Sequence, residues 1–444
     1  MPGAQSPSNK MRLLTATEQR FTFGPDQKVY VDGPAKYSAW ANYLEAFDEV
    51  VVLARVATSG HVDAERARGA NATLASEPQQ AWREEARADG PSVSFYALPD
   101  YRGPWEYLRH LVDLKRRVRE AVRSCDAYIL RVPGLVGRLV WRELRRRGKP
   151  YALEVVGDPW DALGPGTWRS AFRPVFRRVA AQDLKAMCQG AMAVHYVTQS
   201  SLQRRYPPAK GAYAVGFSDA LMDSAFASPA EMNDRFHRIE EVAGTNGAGR
   251  PFRIGFAGSL AQMYKGPDVL LRAASLCRAR GMNIETALAG DGRYAAAMKV
   301  LAAQLGIEDR TRFLGQLPFG KAVFAFLDSV DLFVMPSYAE GLPRALLEAM
   351  ARGCPCVGSE VGGIPELLDA GEMAPAGDAK ALAERIFEVA AGAARLKQMA
   401  ARNLEKARQF SPELLREVRR EFCRFVREHS GETLEPQMNT DKHR

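Results

Sequence analysis

The sequence predicts an α/β protein of two doubly wound parallel-sheet domains facing a cleft, and three observations lead there. The chain has 444 residues, more than one hydrophobic core usually organises, so two domains are the starting expectation. From Met11 onward, short apolar and β-branched runs alternate with amphipathic stretches, the pattern of strands joined by helices in a mostly parallel sheet. That series stops and begins afresh beyond a Gly-Thr-Asn-Gly-Ala-Gly run within 241–250, which has the composition of an exposed linker.

Taken in order, residues 1–10 read as a flexible tail. Strands are expected over 12–15, 49–55, 92–97, 127–131 and 151–156, each an apolar run too short for a helix. Helices are expected over 37–47, 105–123 and 135–147, where apolar residues return every three or four positions. The Ala-, Glu- and Arg-rich stretch 61–90 lacks strand alternation and reads as a helical or loose excursion. The first domain is expected over 11–240, and the second over 251–410. Within the second, the expected order is strand 252–257, helix 267–280, strands 285–289, 311–314 and 331–335, helix 343–352 and strand 355–358. A last helix over 412–429, with Ser411 as cap and Pro412 in its first turn, is expected to pack across the domain junction as part of 411–430. The tail 431–444 is polar and expected to be disordered.

Composition removes several classes. With 46% hydrophobic, 9% aromatic and 25% charged residues the chain is neither disordered nor a disulfide scaffold. No apolar run approaches the roughly 18 residues of a membrane span, and none resembles a secretory signal. The six cysteines form no C-x-x-C pair, so a soluble cytoplasmic protein with reduced thiols is expected. The net charge is +9, and residues 101–150 alone hold 14 Lys and Arg against 5 acids, which places the whole excess in one segment. Such a segment suits a phosphorylated substrate or an anionic membrane surface; no RNA or DNA module accompanies it, so nucleic acid is set aside. Leu108, Leu111, Val112 and Val118 fall at helical spacing among Arg109, Lys115, Arg116, Arg117 and Arg119. A helix there would bury the apolar stripe and offer its basic face to lipid headgroups.

In doubly wound sheets ligands bind beyond the carboxyl ends of strands, and two downstream loops carry chemistry there. After the strand ending at Ala257 come Gly258-Ser259-Leu260 and then Lys265-Gly266-Pro267. Gly258 permits close backbone approach and Lys265 supplies a cation beside a helix start, a combination that suits a diphosphate. After 331–335 the chain reads Pro336-Ser337-Tyr338-Ala339-Glu340-Gly341-Leu342-Pro343, with Glu348 in the second turn of the helix that Pro343 marks. A helix N-terminus attracts phosphate while carboxylates accept hydrogen bonds from hydroxyls, so the pair fits a ligand with phosphate in the middle and polyols at both ends. A nucleotide sugar has that shape. The competing readings are an N-terminal capping acid for Glu340 and a solvated face for Glu348.

The run 256–366 resembles the retaining glycosyltransferases of family 4, which have the GT-B fold of two facing Rossmann-like domains. The resemblance rests on Gly258 with Lys265-Gly266, on Ala289-Gly290-Asp291-Gly292, on Phe313-Leu314-Gly315, on Glu340 and Glu348 as a Glu-x7-Glu pair, and on Val361-Gly362-Gly363-Ile364-Pro365-Glu366. It implies that Lys265 neutralises the donor diphosphate, Glu340 faces the transferred sugar and Glu348 holds the nucleotide ribose. It further implies that Gly341, Leu342 and Pro343 lie against the distal phosphate while Gly290, Asp291, Gly292 and Leu314 frame the nucleotide. The chain departs from the family twice: Ser259 stands where a second diphosphate cation is common, and Gly157 where a histidine is common. In retaining transfer without a covalent nucleophile, as the family is described, the departing phosphate oxygen takes the acceptor proton.

Asp158 is the candidate catalytic contact from the first domain, against the alternative of a turn-forming Asp-Pro. Gly33, Tyr101, Trp105 and Trp160 are acceptor-side candidates, each of them also readable as ordinary loop or core. The chain contains no Asp-x-Asp, so no metal and no cofactor are expected beyond a UDP- or GDP-linked sugar as substrate. The expected function is metal-independent, hexosyl-type retaining transfer to a glycan or lipid-linked acceptor in cell-envelope polysaccharide assembly, at the cytoplasmic face. A sugar-nucleotide epimerase or a non-catalytic nucleotide-sugar-binding module of the same fold are the alternatives.

Overall fold

The computed structural model describes residues 10–31, 35–58, 84–164, 172–218, 226–243, 249–318 and 320–431. Two parallel sheets organise the chain. The upstream strands are β1 (Arg12–Phe23), β2 (Val29–Tyr30), β3 (Glu49–Ala57), β4 (Val93–Leu98), β5 (Ala127–Val132), β6 (Ala152–Val155), β7 (Ala193–Tyr196) and β8 (Tyr213–Gly216). They run in the order β4-β3-β1-β5-β6-β7-β8, all parallel, with β2 turning back antiparallel onto the end of β1. The downstream strands are β9 (Phe252–Ala257), β10 (Ile284–Ala289), β11 (Thr311–Gly315), β12 (Leu332–Met335), β13 (Cys356–Ser359) and β14 (Met373–Ala374). Their order is β11-β10-β9-β12-β13-β14. Both faces of each sheet are covered, which is why their central strands read as continuous apolar runs: Leu332, Phe333, Val334 and Met335 are all fully buried.

The expected strands lie within a few residues of those observed, and the helix over 135–147 is found as Leu135–Arg147. Differences have physical causes. The first strand runs to Phe23 because a register shift between Ala16 and Arg20 lets it stay paired with β3. The helix expected over 37–47 is a turn of α-helix, Tyr37–Ala41, that tightens into 3-10 geometry over Asn42–Glu45. Strands β7, β8 and β14, of four, four and two residues, gave no readable periodicity in advance. The expected excursion is described only from Glu84, where a 3-10 turn Glu84–Ala86 begins. Gly33, most of 61–90, residues 1–9 and 432–444 of the expected tails and residues 244–248 of the expected linker lie outside the described residues.

Two packing expectations are corrected. The glycine-rich segment was expected to divide the domains, but the helix before it, Pro229–Val242, already belongs downstream: Met232, Ile239 and Val242 are buried in the downstream core. Composition marks an exposed linker; it does not say on which side the preceding helix packs. Arg235 fixes that helix by donating to the carbonyls of Arg352, Val330 and Leu327. Second, of the stripe expected to be buried on helix Gly103–Arg123, Val118 is buried beside Leu114, Ala121 and Val122, and Leu111 packs partly buried on the same core. Leu108 and Val112, by contrast, are 55% and 81% exposed. The segment carries two apolar stripes, and only the surface of the sheet selects between them.

The last helix, Pro412–His429, returns to the upstream domain, where Phe422, Cys423 and Val426 join the core beside His195 and Tyr213. Ala407 and Phe410 still pack downstream, so the chain crosses between the domains within a few residues of Ser411. Arg420 and Arg427 tie this helix to Glu45 and Asp48.

Candidate functional site

The downstream strand order reverses between β9 and β12, neighbours in the sheet whose following connections diverge to opposite sides. Loops leaving such a pair open a crevice at the carboxyl ends. Lys265 ends the 3-10 turn Met263–Lys265 that follows β9, and helix Pro267–Ala279 begins just beyond it. Glu340 lies in the loop after β12, ahead of helix Arg344–Ala351, whose N-cap is Pro343 rather than the first helical residue expected. The amide of Tyr338 donates to the Tyr264 carbonyl at 2.7 Å and stitches the two loops together.

Seventy-five positions apart in sequence, Lys265 and Glu340 are in direct contact: Nζ donates to Oε1 at 2.8 Å and to Oε2 at 2.9 Å. Fully buried Ser337 adds its Oγ to Oε1 at 2.6 Å. Burial works against the Lys265 charge, but the facing Glu340 carboxylate outweighs it and holds the ammonium above its ordinary pKa. Ser337 was not anticipated; its small hydroxyl gives no signal in sequence.

Glu348 stands one turn into the helix, its partner Arg344 at 3.4 Å. Burial pushes its carboxyl above the ordinary range, and Arg344 offsets this only in part. A carboxyl with a raised folded value contributes stability at low pH and loses it as pH rises through that value. Glu348→Gln is therefore expected to raise the Tm of the free protein at neutral pH, with a gain that shrinks on acidification, while donor affinity falls. Calorimetry across pH with and without donor checks both halves, and a lowered Tm at neutral pH contradicts the assignment.

The glycine motifs pack on one another. A Cβ on Gly290 (φ +140°) would meet the Gly258 carbonyl oxygen at 1.9 Å, and one on Gly292 (φ +153°) the Ala261 nitrogen at 2.1 Å. Asp291 accepts from the Gly292 amide at 2.7 Å, and exposed Ser259 accepts from the Ala261 amide at 3.2 Å. Leu314, on β11, is partly exposed. Gly258, Ser259, Gly290, Asp291 and Gly292 thus form one surface beside the Lys265 loop.

The upstream domain meets this site directly. A Cβ on Gly341 would lie 2.8 Å from the Val156 carbonyl oxygen, and Leu342 packs near Gly363, whose amide donates to the Gly341 carbonyl at 2.7 Å. Glu366 reaches across and accepts from the amides of Gln199, Ser200 and Ser201 and the hydroxyls of Ser200 and Ser201, capping the short helix Ser201–Arg205. Burial pushes its carboxyl up, but these donors prevail and the value is lowered. Its place in the Val361–Glu366 run marked Glu366 in the sequence, but not this bridge.

The acceptor-side candidates separate. Asp158 is buried and committed: Oδ1 accepts from the Trp160 amide at 2.8 Å and the Tyr206 hydroxyl at 2.5 Å, and Oδ2 pairs with Arg205. It caps helix Pro159–Ala162, so the turn-forming role is realised. Tyr101 is a core residue, packed against Tyr107 and beneath Arg55, and is not placed to stack on a ligand. Trp160 carries Arg177 over its ring at 3.8 Å, and Trp105 is 82% exposed on its helix. Among the described residues no group of three or more His, Cys, Asp or Glu could hold a metal, and no helix is long and apolar enough to cross a membrane.

With this geometry in view, the family described as "Glycosyl transferases group 1" matches residues 251–391. The downstream domain is therefore similar to the group 1 glycosyl transferases. Protein CapJ of Staphylococcus aureus is 26% identical over 74% of this chain and 73% of its own length. The amylovoran biosynthesis glycosyltransferase AmsK of Erwinia amylovora is 36% identical, but the match covers 33% of this chain and 37% of AmsK. The structure of Anabaena HepE with UDP-glucose aligns with a TM-score of 0.59 over 93% of this chain and 98% of HepE, at 18% identity. Sucrose-phosphate synthase from Thermosynechococcus elongatus aligns with a TM-score of 0.62 over 94% of this chain and 99% of its own, at 15% identity. The fold of the chain is GT-B.

Proposed function

We propose that this protein is a glycosyltransferase that moves a sugar, with retention, from a nucleoside-diphosphate donor to a glycan or lipid-linked acceptor in cell-envelope polysaccharide assembly. The reading is carried by the Lys265–Glu340 contact at the strand-order reversal, where a cation and a carboxylate meet in front of a helix N-terminus. The donor diphosphate draws Lys265 from Glu340, so the ammonium stabilises charge on the leaving phosphate while the freed carboxylate accepts from sugar hydroxyls. Glu348 accepts from the ribose, and the Gly290–Gly292 turn with Leu314 borders the base. Ser259 leaves Lys265 as the side-chain cation of that loop, which concentrates the electrostatic task on one residue. Asp158 serves by fixing Arg205 and Tyr206 at the rim of the acceptor side. AmsK, an amylovoran biosynthesis glycosyltransferase, supports the polysaccharide setting, and HepE with its UDP-glucose supports a uridine donor.

Thermal shift against UDP-, GDP- and ADP-linked sugars is expected to single out one base by mass-action stabilisation. Turnover with that donor is expected to survive EDTA; loss of turnover restored by a divalent ion overturns the metal-independent reading. Donor stabilisation with neither transfer nor slow hydrolysis favours a binding module instead.

A further inference from the structure

Twelve large apolar side chains are exposed among the described residues, and eight of them gather at one end of one face of the upstream domain. They are Trp105, Leu108 and Val112 on helix Gly103–Arg123, Leu135 opening the next helix, and Phe172, Val175, Phe176 and Val179 at the start of helix Arg173–Gly190. These three helices share a sheet face, since Leu114 and Val118, Val140 and Leu144, and Leu184 and Met187 enter the same core. Arg138 in the middle helix pairs with Asp183 in the third at 2.6 Å. All three follow parallel strands, so their N-terminal halves lie together at the carboxyl ends, the edge that also bears the cleft. On the first helix the apolar residues recur at i, i+3 and i+7, and on the third at i, i+1 and i+4 from Val175, giving each an outward stripe in addition to its buried one.

The stripes are flanked by cations. Arg109, Lys115 and Arg119 on the first helix and Arg178 and Lys185 on the third are exposed. The nearby acids are largely engaged: Asp113 with Arg116 and Arg117, Asp183 with Arg138, and Glu106 with the Arg102 amide. An apolar ridge bordered by lysine and arginine is the chemistry of a surface that enters the headgroup region of an anionic bilayer. We propose that this ridge seats the protein on an anionic membrane surface, the outward stripes of both helices entering the interface with the cleft edge facing it. The sequence placed only the basic helix face there; the ridge includes a second helix outside the basic segment.

Full-length protein is sedimented with phosphatidylcholine vesicles with and without phosphatidylglycerol, and its oligomeric state is measured without lipid. Two double variants, Leu108→Ser with Val112→Ser and Val175→Ser with Val179→Ser, change exposed side chains and should leave Tm unaltered. The wild type is expected to partition onto the phosphatidylglycerol vesicles, and each double variant about tenfold less. Absence of wild-type partitioning overturns the proposal, as does partitioning that both variants retain, which would reduce it to charge alone. A lipid-free dimer that the variants dissolve, without vesicle binding, would assign the ridge to a second copy. Donor-induced thermal shift is a separate readout, so failure on vesicles leaves the transfer reading standing.

Discussion

Lys265→Met is expected to lower kcat/KM by about a thousandfold, the upper end of what removal of one preorganised charge-stabilising donor costs. The reason is local. Ser259 occupies the position where the family often carries another cation, so no neighbouring charge on that loop shares the load. The same substitution leaves Glu340, 9% exposed, without its bidentate partner, and Glu340→Gln strands Lys265 in turn. Breaking a buried pair from either side costs about 3–5 kcal/mol, because the remaining charge is uncompensated. The double variant Lys265→Met with Glu340→Gln removes both charges, and is expected to recover much of that stability while staying inactive. Urea unfolding of the four proteins beside their transfer rates tests this. A double variant that transfers sugar, or single variants as stable as the wild type, would sink the assignment of this pair.

Gly266→Ala is expected to cost more than about 3 kcal/mol and to abolish transfer, whereas Gly281→Ala costs about 1 kcal/mol. Both glycines have left-handed backbones, at φ +68° and +87°. What separates them is space: a Cβ on Gly281 meets nothing within 4 Å, but on Gly266 it would stand 2.0 Å from the Pro336 carbonyl oxygen. Gly266 is therefore where the loop after β9 touches the loop after β12, and a methyl group there drives apart the segments bearing Lys265 and Glu340. Denaturant midpoints for the two variants decide the matter. Equal losses would mean that backbone strain alone is at work and that the loops are not held together at this point.

The glycines show how far the sequence could be read. A Lys-Gly-Pro run is a plausible helix start anywhere, and its own composition does not reveal that the glycine accommodates a carbonyl seventy residues downstream. The strands were legible where they are long and buried, and the helix over 135–147 was legible from its two-turn repeat. Strands β7 and β8 were not: His195 interrupts the apolar run of the first, and the second is only partly buried, unlike the equally short but wholly apolar and buried β12. Helix Gly103–Arg123 was found and Val118 and Leu111 of its expected stripe do face the core, but Leu108 and Val112 satisfy helical spacing equally well and lie outside.

By itself the sequence determined the class of the fold, the existence of two sheets, and the residue types that a diphosphate and two polyol ends require. Those follow from local periodicity and from motif chemistry, which are short-range properties of the chain. Only the tertiary structure decided that Lys265 and Glu340 touch, that Glu366 caps an upstream helix, that Asp158 is committed to Arg205 and Tyr206, and that the final helix returns to the first domain. Each depends on strand order and on which of two apolar faces docks, and these are settled by burial over the whole molecule rather than within any one segment.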